Sequence, residues 1–333
     1  HPVTLDVTEV IPAGSVPTYP ITEGKAARIM TGAPVPEGAD AIIMHERTSF
    51  TENTVTLTAP VISANIIPPG EDVAAGTLLV PKGKILTASD LALIAGQGIA
   101  EIGVYKKLSI GLISTGSELL NTGSPLEYGK IYNTNPYLLG GYIQKHHMTA
   151  NYLNTVSDEL DSLCRAVLDA LKTNDIVITT GGVSAGDFDY MPEVIRRIGG
   201  DLLFHRLKFK PGGAMLGAFK DGKVILGLSG NPGAAATGLL CVGFPFMRKL
   251  SGRSDITFSQ ATAYLGVDFK KSSPVTRILK GHSDFKNGML YFTPLSNQHN
   301  GSVSSMSDCD LLAVIPAGSK PLAAGDKLEV YIL

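Results

Sequence analysis

Tryptophan is absent from the 333 residues, and aromatic side chains make up only 7% of them. Cysteine is scarce: Cys164, Cys241 and Cys309 are odd in number and far apart. Their spacing suits no metal site, so they read as reduced core thiols of a cytoplasmic protein. An excess of either charge is also missing. With 28 basic and 30 acidic residues the formal net charge is −2, which gives no reason to expect a nucleic-acid or membrane-surface partner. No apolar run reaches the roughly 18 residues of a bilayer span. His146 and His147 are adjacent rather than one helical turn apart, a poor geometry for shared metal ligation, and the histidines read as structural. No initiator methionine or signal-peptide pattern opens the chain. A strand-like stretch, Val3 to Val10, begins almost at once, so residues upstream of His1 are expected in the full protein.

What is present is a chain with 44% hydrophobic residues, enough for sizeable cores, and long enough for two or three domains. Residues 1–75 are rich in Pro, Gly, Thr and Val. Short apolar runs there (Ala39 to Met44, Thr54 to Thr58) lie between turn signals, predicting a small, mostly β domain. Residues 76–106 form a connecting segment in which Ala88 to Gly98 predicts a helix capped by Thr87 or Ser89.

The pattern changes over 107–252. Strand-like runs at Leu108–Ile113, Thr149–Val156, Asp175–Thr179 and Val224–Leu228 alternate with helical periods at Asn135–Gln144, Ser157–Lys172 (cap Ser157 or Asp158) and Met191–Ile198. A long apolar helix then reaches about Leu250. Continuous apolar strands between helices predict an α/β domain: a parallel sheet covered on both faces, three layers in all. The tail, 257–333, returns to short strands and fits a small β-barrel or sandwich.

In an open parallel sheet, ligands bind beyond the carboxyl ends of the strands. Three segments stand there: Ser114–Glu118 (STGSE), Thr179–Tyr190 (TTGGVSAGDFDY) and Leu228–Gly233 (LSGNPG). In the middle one, Gly181, Gly182 and Gly186 let backbone amides approach an anion, and Thr180 and Ser184 add hydroxyl donors. Asp187 and Asp189 follow, a sensible way to hold Mg²⁺ against a phosphate. A plain strand-to-helix turn with an Asp cap explains the same residues. The glycine spacing matches neither the dinucleotide fingerprint nor a P-loop. Alternation along a strand at 205–210 would bring Arg206, Lys208 and Lys210 to one face for phosphate or molybdate; a solvated edge strand is the other reading. Gly230, Asn231 and Pro232 open a helix whose first amides would face an anion, or serve the fold alone.

Taken together these segments resemble the molybdopterin molybdenumtransferases, the family of the bacterial MoeA proteins and the gephyrin C-terminal domain. Matching stretches are Arg28–Asp40 (RIMTGAPVPEGAD), Pro69–Asp72, Ser114–Glu118, Gly129–Asn135 (GKIYNTN), Thr180–Gly186 with Asp189–Tyr190, Lys210–Gly212 and Gly230–Pro232. The resemblance implies a molybdopterin-binding αβα domain flanked by small β domains, with 76–106 belonging to an elongated dimerisation domain whose beginning lies upstream. It implies a cytoplasmic homodimer that takes adenylyl-molybdopterin and molybdate, uses Mg²⁺ and releases AMP, with a molybdopterin adenylyltransferase as a partner. By the same resemblance Asp158, Asp189 and Glu118 bind metal or polarise water, Asp72 reaches the cleft from the small domain, and Arg206 and Lys210 hold phosphate or molybdate. The chain departs from the family pattern with Ser117 for Asp, Gly213 for Lys and Ser229 for Pro. A non-catalytic scaffold and a tungstate-handling paralogue are the alternatives.

Overall fold

Turn-bounded β-branched runs predict strands in the first segment. The computed structural model, which describes residues 2–58, 65–183 and 190–333, has four there. They are β1 (Val3–Ile11), β2 (Lys25–Ile29), β3 (Thr48–Phe50) and β4 (Thr54–Leu57), in the order β2-β1-β4-β3. The run Ala39–Met44 forms no strand; it leads into a short 3-10 turn at His45–Arg47. These residues belong to one compact unit, His1–Leu78, and the remainder to a second, Leu79–Leu333.

The second unit opens with α1 (Ala88–Gly96). Thr87 caps it: its hydroxyl accepts from the Asp90 amide while Asp90 returns a carboxylate oxygen to the Thr87 amide, satisfying two otherwise orphaned donors. Next come β5 (Ser109–Ser114), the short pair β6 (Leu119–Leu120) and β7 (Ile131–Tyr132), α2 (Asn135–Lys145), β8 (Thr149–Tyr152), α3 (Leu160–Thr173), β9 (Ile176–Thr180) and α4 (Met191–Arg197). Then β10 (Asp201–His205), β11 (Phe209–Lys210), β12 (Leu216–Lys220) and β13 (Lys223–Leu228) lead to α5 (Pro232–Gly238) and α6 (Phe244–Leu250). A wide π turn, Leu239–Gly243, joins α5 to α6. Its cause is local: Pro245 has no amide hydrogen for the carbonyl four residues earlier, so the helix loosens just before it.

The central sheet runs β10-β12-β13-β9-β5-β8. The four strands β13, β9, β5 and β8 are parallel, as expected, whereas at one edge β12 runs antiparallel to β13 and β10 antiparallel to β12. The sheet is therefore mixed rather than purely parallel, because a two-residue turn at Asp221–Gly222 returns β12 directly into β13. One face packs Ile110, Ile176 and Leu226 with the α2, α5 and α6 side chains Leu139, Ala235 and Phe244. The other packs Ile113, Val177 and Ile225 with α3 and α4 through Val167, Leu163 and Val194. Three layers result.

The tail supplies β14 (Gln260–Leu265), β15 (Thr276–Lys286), β16 (Met289–Pro294), α7 (Ser304–Ser307), β17 (Leu311–Ile315) and β18 (Lys327–Ile332). Five strands close on themselves, β15-β16-β14-β18-β17 and back to β15. This is the barrel option of the sequence reading. Ile278, Met306 and Leu312 of the tail join the α2/α5/α6 core, so barrel and central layers share apolar packing.

Candidate functional site

Register brings the three glycine-rich segments side by side. Ser114 pairs with Thr180, and Thr180 pairs with Leu228, so β5, β9 and β13 end level with one another. Beyond that row the backbone stays laced: the Thr115 amide donates to Thr180 O at 2.9 Å and the Gly181 amide to Leu228 O at 3.0 Å. A fourth segment joins through the Thr115–Val156 bridge, with the Gly116 amide on Val156 O at 3.3 Å.

That fourth segment carries Asp158. Its carboxylate accepts from the Ser117 amide at 3.3 Å, so it is not the helix cap predicted for it. Glu159 is the residue before α3, without a side-chain cap bond. Glu118 curls back over Gly116, where a Cβ would lie 2.5 Å from its carboxylate; Gly116 holds φ +146°, and only glycine leaves that space. Lys130 closes the cluster by donating from Nζ to Ser117 O at 2.5 Å. Asp158 and Glu118 thus flank one short loop, with a lysine beside them. Asp189, Ser184 and Gly186, with Asp187, lie outside the described residues.

Beneath the loop runs a buried polar chain. Thr180 Oγ1 donates to Ser114 Oγ, Ser114 Oγ to Asn133 Oδ1, and Asn133 Nδ2 to Thr155 Oγ1, each at 3.3 Å. Thr180 is 3% exposed, so its hydroxyl serves this chain rather than standing as the ligand donor expected of it. Gly181 takes φ +100° with the Thr115 carbonyl oxygen 2.8 Å from its Cβ position. Gly182 also has positive φ, 65°. Gly230 passes close to Gly181, and its carbonyl accepts from Asn135 Nδ2 at 2.9 Å. Asn135 Oδ1 is buried without a partner among the described residues. Asn133, Asn135 and Lys130 were not singled out by residue chemistry, because each reaches its partner only through the fold.

Two expectations fail on geometry. Arg206, Lys208 and Lys210 do not share a strand face: β10 ends at His205, Arg206 adopts φ +66°, and only Lys210 of the three lies in a strand, β11. A left-handed residue interrupts the alternation on which that reading depended. Lys210, preceding a cis peptide to Pro211, instead pairs with Arg277 of β15; nothing local to either residue signals this contact. At α5, Pro232 has no amide hydrogen, and the Ala234 amide is taken by Asn300 O at 3.1 Å. The helix start is therefore partly closed to an anion. Position 213, a glycine here, has no room for a longer residue, since its Cβ would lie 2.3 Å from Phe209 O and 2.4 Å from Leu207 O.

Asp72 lies in the first unit, in an exposed bend after Gly70. Among the described residues no group of three acidic, histidine or cysteine side chains is placed to hold a metal. The oxygen-rich pair Glu118 and Asp158 nonetheless suits Mg²⁺, which takes one or two carboxylates and fills its other positions with water and phosphate oxygens. A groove of about 640 Å³ lined by Lys145, His146 and Arg248 lies at the opposite end of α2 from Asn135. It is no part of this cluster.

Three family descriptions match successive parts of the chain: the MoeA N-terminal region (domains I and II) over residues 2–98, a probable molybdopterin-binding domain over 111–249, and the MoeA C-terminal region (domain IV) over 262–333. A molybdopterin molybdenumtransferase of Bacillus subtilis (strain 168) is 36% identical over 338 residues, covering 100% of this chain and 79% of that protein. One from Staphylococcus aureus (strain MRSA252) is 35% identical over 327 residues, 98% of this chain and 78% of the relative. The crystal structure of a molybdopterin biosynthesis MoeA protein from Pyrococcus horikoshii superposes with a TM-score of 0.85 at 27% identity, over 99% of this chain and 81% of that one.

Proposed function

Because the chain belongs to the molybdopterin molybdenumtransferase family, enzymes of molybdenum cofactor biosynthesis, we propose that it inserts molybdate into adenylyl-molybdopterin and releases AMP. The observation that carries this is the level row Ser114–Thr180–Leu228 with Asp158 and Glu118 around the Ser117 amide. Glycines, Lys130 and the two carboxylates meet at one sheet end, an arrangement that suits a pyrophosphate link.

The chemistry is hydrolysis of a phosphoanhydride. Water adds to the adenylyl phosphorus, the P–O bond to the molybdopterin phosphate breaks, and AMP departs. Glu118 and Asp158, with Asp189, would hold Mg²⁺, which supplies charge neutralisation on the phosphate oxygens. Gly181, Gly182 and Gly230 let backbone come close to the ligand. Arg206 and Lys210 offset negative charge on phosphate or on the molybdate substrate. In this reading Asp158 or Glu118 accepts a proton from the attacking water. Asp72 completes the site in this reading, and the active assembly is a homodimer fed by a molybdopterin adenylyltransferase.

Incubation of the protein with adenylyl-molybdopterin, Mg²⁺ and molybdate tests the proposal. AMP release that depends on molybdate is the expected result. Tight ligand binding without AMP would overturn it in favour of a scaffold, and a response to tungstate alone would change the metal.

A further inference from the structure

β6 and β7 pair in parallel, with Leu119 opposite Ile131, and this short ladder fixes Lys130 beside the Ser117–Glu118 loop. The chain enters β7 through a turn at Gly129, φ +78°, closed by the Lys130 amide on Glu127 O at 3.1 Å. Just beyond, the Ile131 amide donates to Glu118 O and the Asn133 amide to Leu120 O, each at 2.9 Å. The backbone is thus held on both sides of Lys130. Its half-buried side chain reaches back to the loop, where Nζ donates to Ser117 O at 2.5 Å.

Ser117 therefore carries opposite charges at the two ends of its backbone. Asp158 accepts from its amide at 3.3 Å, and Lys130 donates to its carbonyl. The residue between them keeps the charges apart: among the described residues none of Lys130, Asp158 and Glu118 has an ion-pair partner. An ammonium has three donors, and the Ser117 carbonyl takes one of them. Ser117 and Glu118 are exposed, so a ligand lying on the loop meets a cation and two carboxylates together. Carboxylates alone would repel a pyrophosphate, whereas a lysine beside them offers a point charge suited to a phosphate oxygen. Arg206 and Lys210, the cations expected from the sequence, come from the stretch around β10 and β11 instead.

We propose that Lys130 is a catalytic residue whose ammonium donates to an oxygen of the phosphate that leaves with molybdopterin. This rests on the reading above that adenylyl-molybdopterin is the substrate. As the water oxygen bonds to the adenylyl phosphorus, one water proton passes to Asp158 or Glu118. The electron pair of the broken P–O bond stays on the molybdopterin phosphate. Lys130 keeps its own protons and offsets the charge that gathers there. Separation across Ser117 stops acid and base from neutralising each other, so both act on the same bond.

Three variants separate charge from scaffolding. Lys130→Gln removes the charge and keeps a donor for Ser117 O, Lys130→Met removes both, and Lys130→Arg keeps both. In AMP release from adenylyl-molybdopterin with Mg²⁺ and molybdate, Lys130→Gln should lower kcat about a hundredfold and change KM by less than about threefold. Lys130→Met should match it, and Lys130→Arg should recover kcat to within about tenfold of the parent. The Mg²⁺ concentration for half-maximal rate should stay within about twofold of the parent's in Lys130→Gln. Equal kcat in Lys130→Gln and the parent would overturn the proposal. So would a loss confined to Lys130→Met, which would make the lysine a latch on the loop. A raised Mg²⁺ requirement that restores the full rate at high Mg²⁺ would also overturn it, by moving the effect to the carboxylates. Should one charge-free variant fail to fold, the other gives the same comparison. Failure of the substrate reading looks different: the parent itself then releases no AMP. Calorimetric titration with inorganic pyrophosphate and Mg²⁺ decides the lysine's part in that case. Binding about tenfold weaker in Lys130→Gln than in the parent would uphold the phosphate contact; equal affinity, or no binding by the parent, would remove it.

Discussion

Asp158 shows how much one side chain depends on distant chain. Its partner, the Ser117 amide, is 41 residues away, so nothing in its own neighbourhood marks it; resemblance alone pointed to it. Asp158→Asn keeps an oxygen for that amide and removes the charge. AMP release should fall roughly a hundredfold while affinity for adenylyl-molybdopterin changes little; equal losses in both would mean that Asp158 only shapes the loop. Gly181 was readable as a turn residue, and the fold adds the reason. With φ +100° and the Thr115 carbonyl oxygen 2.8 Å from its Cβ position, Gly181→Ala must strain or shift the backbone that joins β9 to the site. A loss of at least about 2 kcal/mol in denaturant unfolding is expected, and an unchanged midpoint would show that the loop yields freely.

At the scale of elements, periodicity located the parallel strands β5, β9 and β13 and the helices between them, because each strand buries a continuous apolar run and each helix an apolar face. It misplaced what depends on a single conformational exception. Arg206 ends β10 by turning left-handed, and no alternation rule anticipates that in an arginine. The partnership of β11 with β15 joins positions 67 residues apart and was equally invisible. The meeting of α2 with α6 was hidden too, although its chemistry is testable. His146, at the end of α2, packs edge-on against Phe244 and Phe258 and lies 3.4 Å from Arg248 Nη2 through Nδ1. Burial, and then the nearby Arg248 charge, push its pKa down to about 4. The folded pKa is thus below the unfolded value, so the unfolded chain takes up a proton first as pH falls. Stability should decline between about pH 6.5 and 4 by up to about 2 kcal/mol and level off below. His146→Gln, which retains an acceptor for Arg248, should flatten that part of the profile in thermal unfolding. A parallel decline in both proteins would assign the effect to other groups.

For the whole molecule, composition fixed little beyond size and the poor case for nucleic-acid or membrane partners, and assembly is the property it left most open. The two compact units are unequal in core. Unit Leu79–Leu333 holds three apolar clusters, whereas among the described residues of His1–Leu78 only Ile11 is a buried hydrophobic side chain. In that unit Val3, Val10, Val16, Met30 and Phe50 are 51, 51, 83, 40 and 47% exposed. A four-stranded sheet with so little interior gains stability by covering its apolar face with another surface. The homodimer we propose for the active enzyme gives one such cover, through a patch that meets its own copy about a two-fold axis. Sedimentation equilibrium should then return twice the 35.0 kDa chain mass, and replacing Val10 and Met30 together with serine should shift the protein toward monomer while the α/β unit keeps its far-ultraviolet signature. A parent protein that sediments as a single chain across the accessible concentration range would sink the dimer. The exposed valines would then need a different cover, and the homodimer proposed as the active assembly would have to be abandoned.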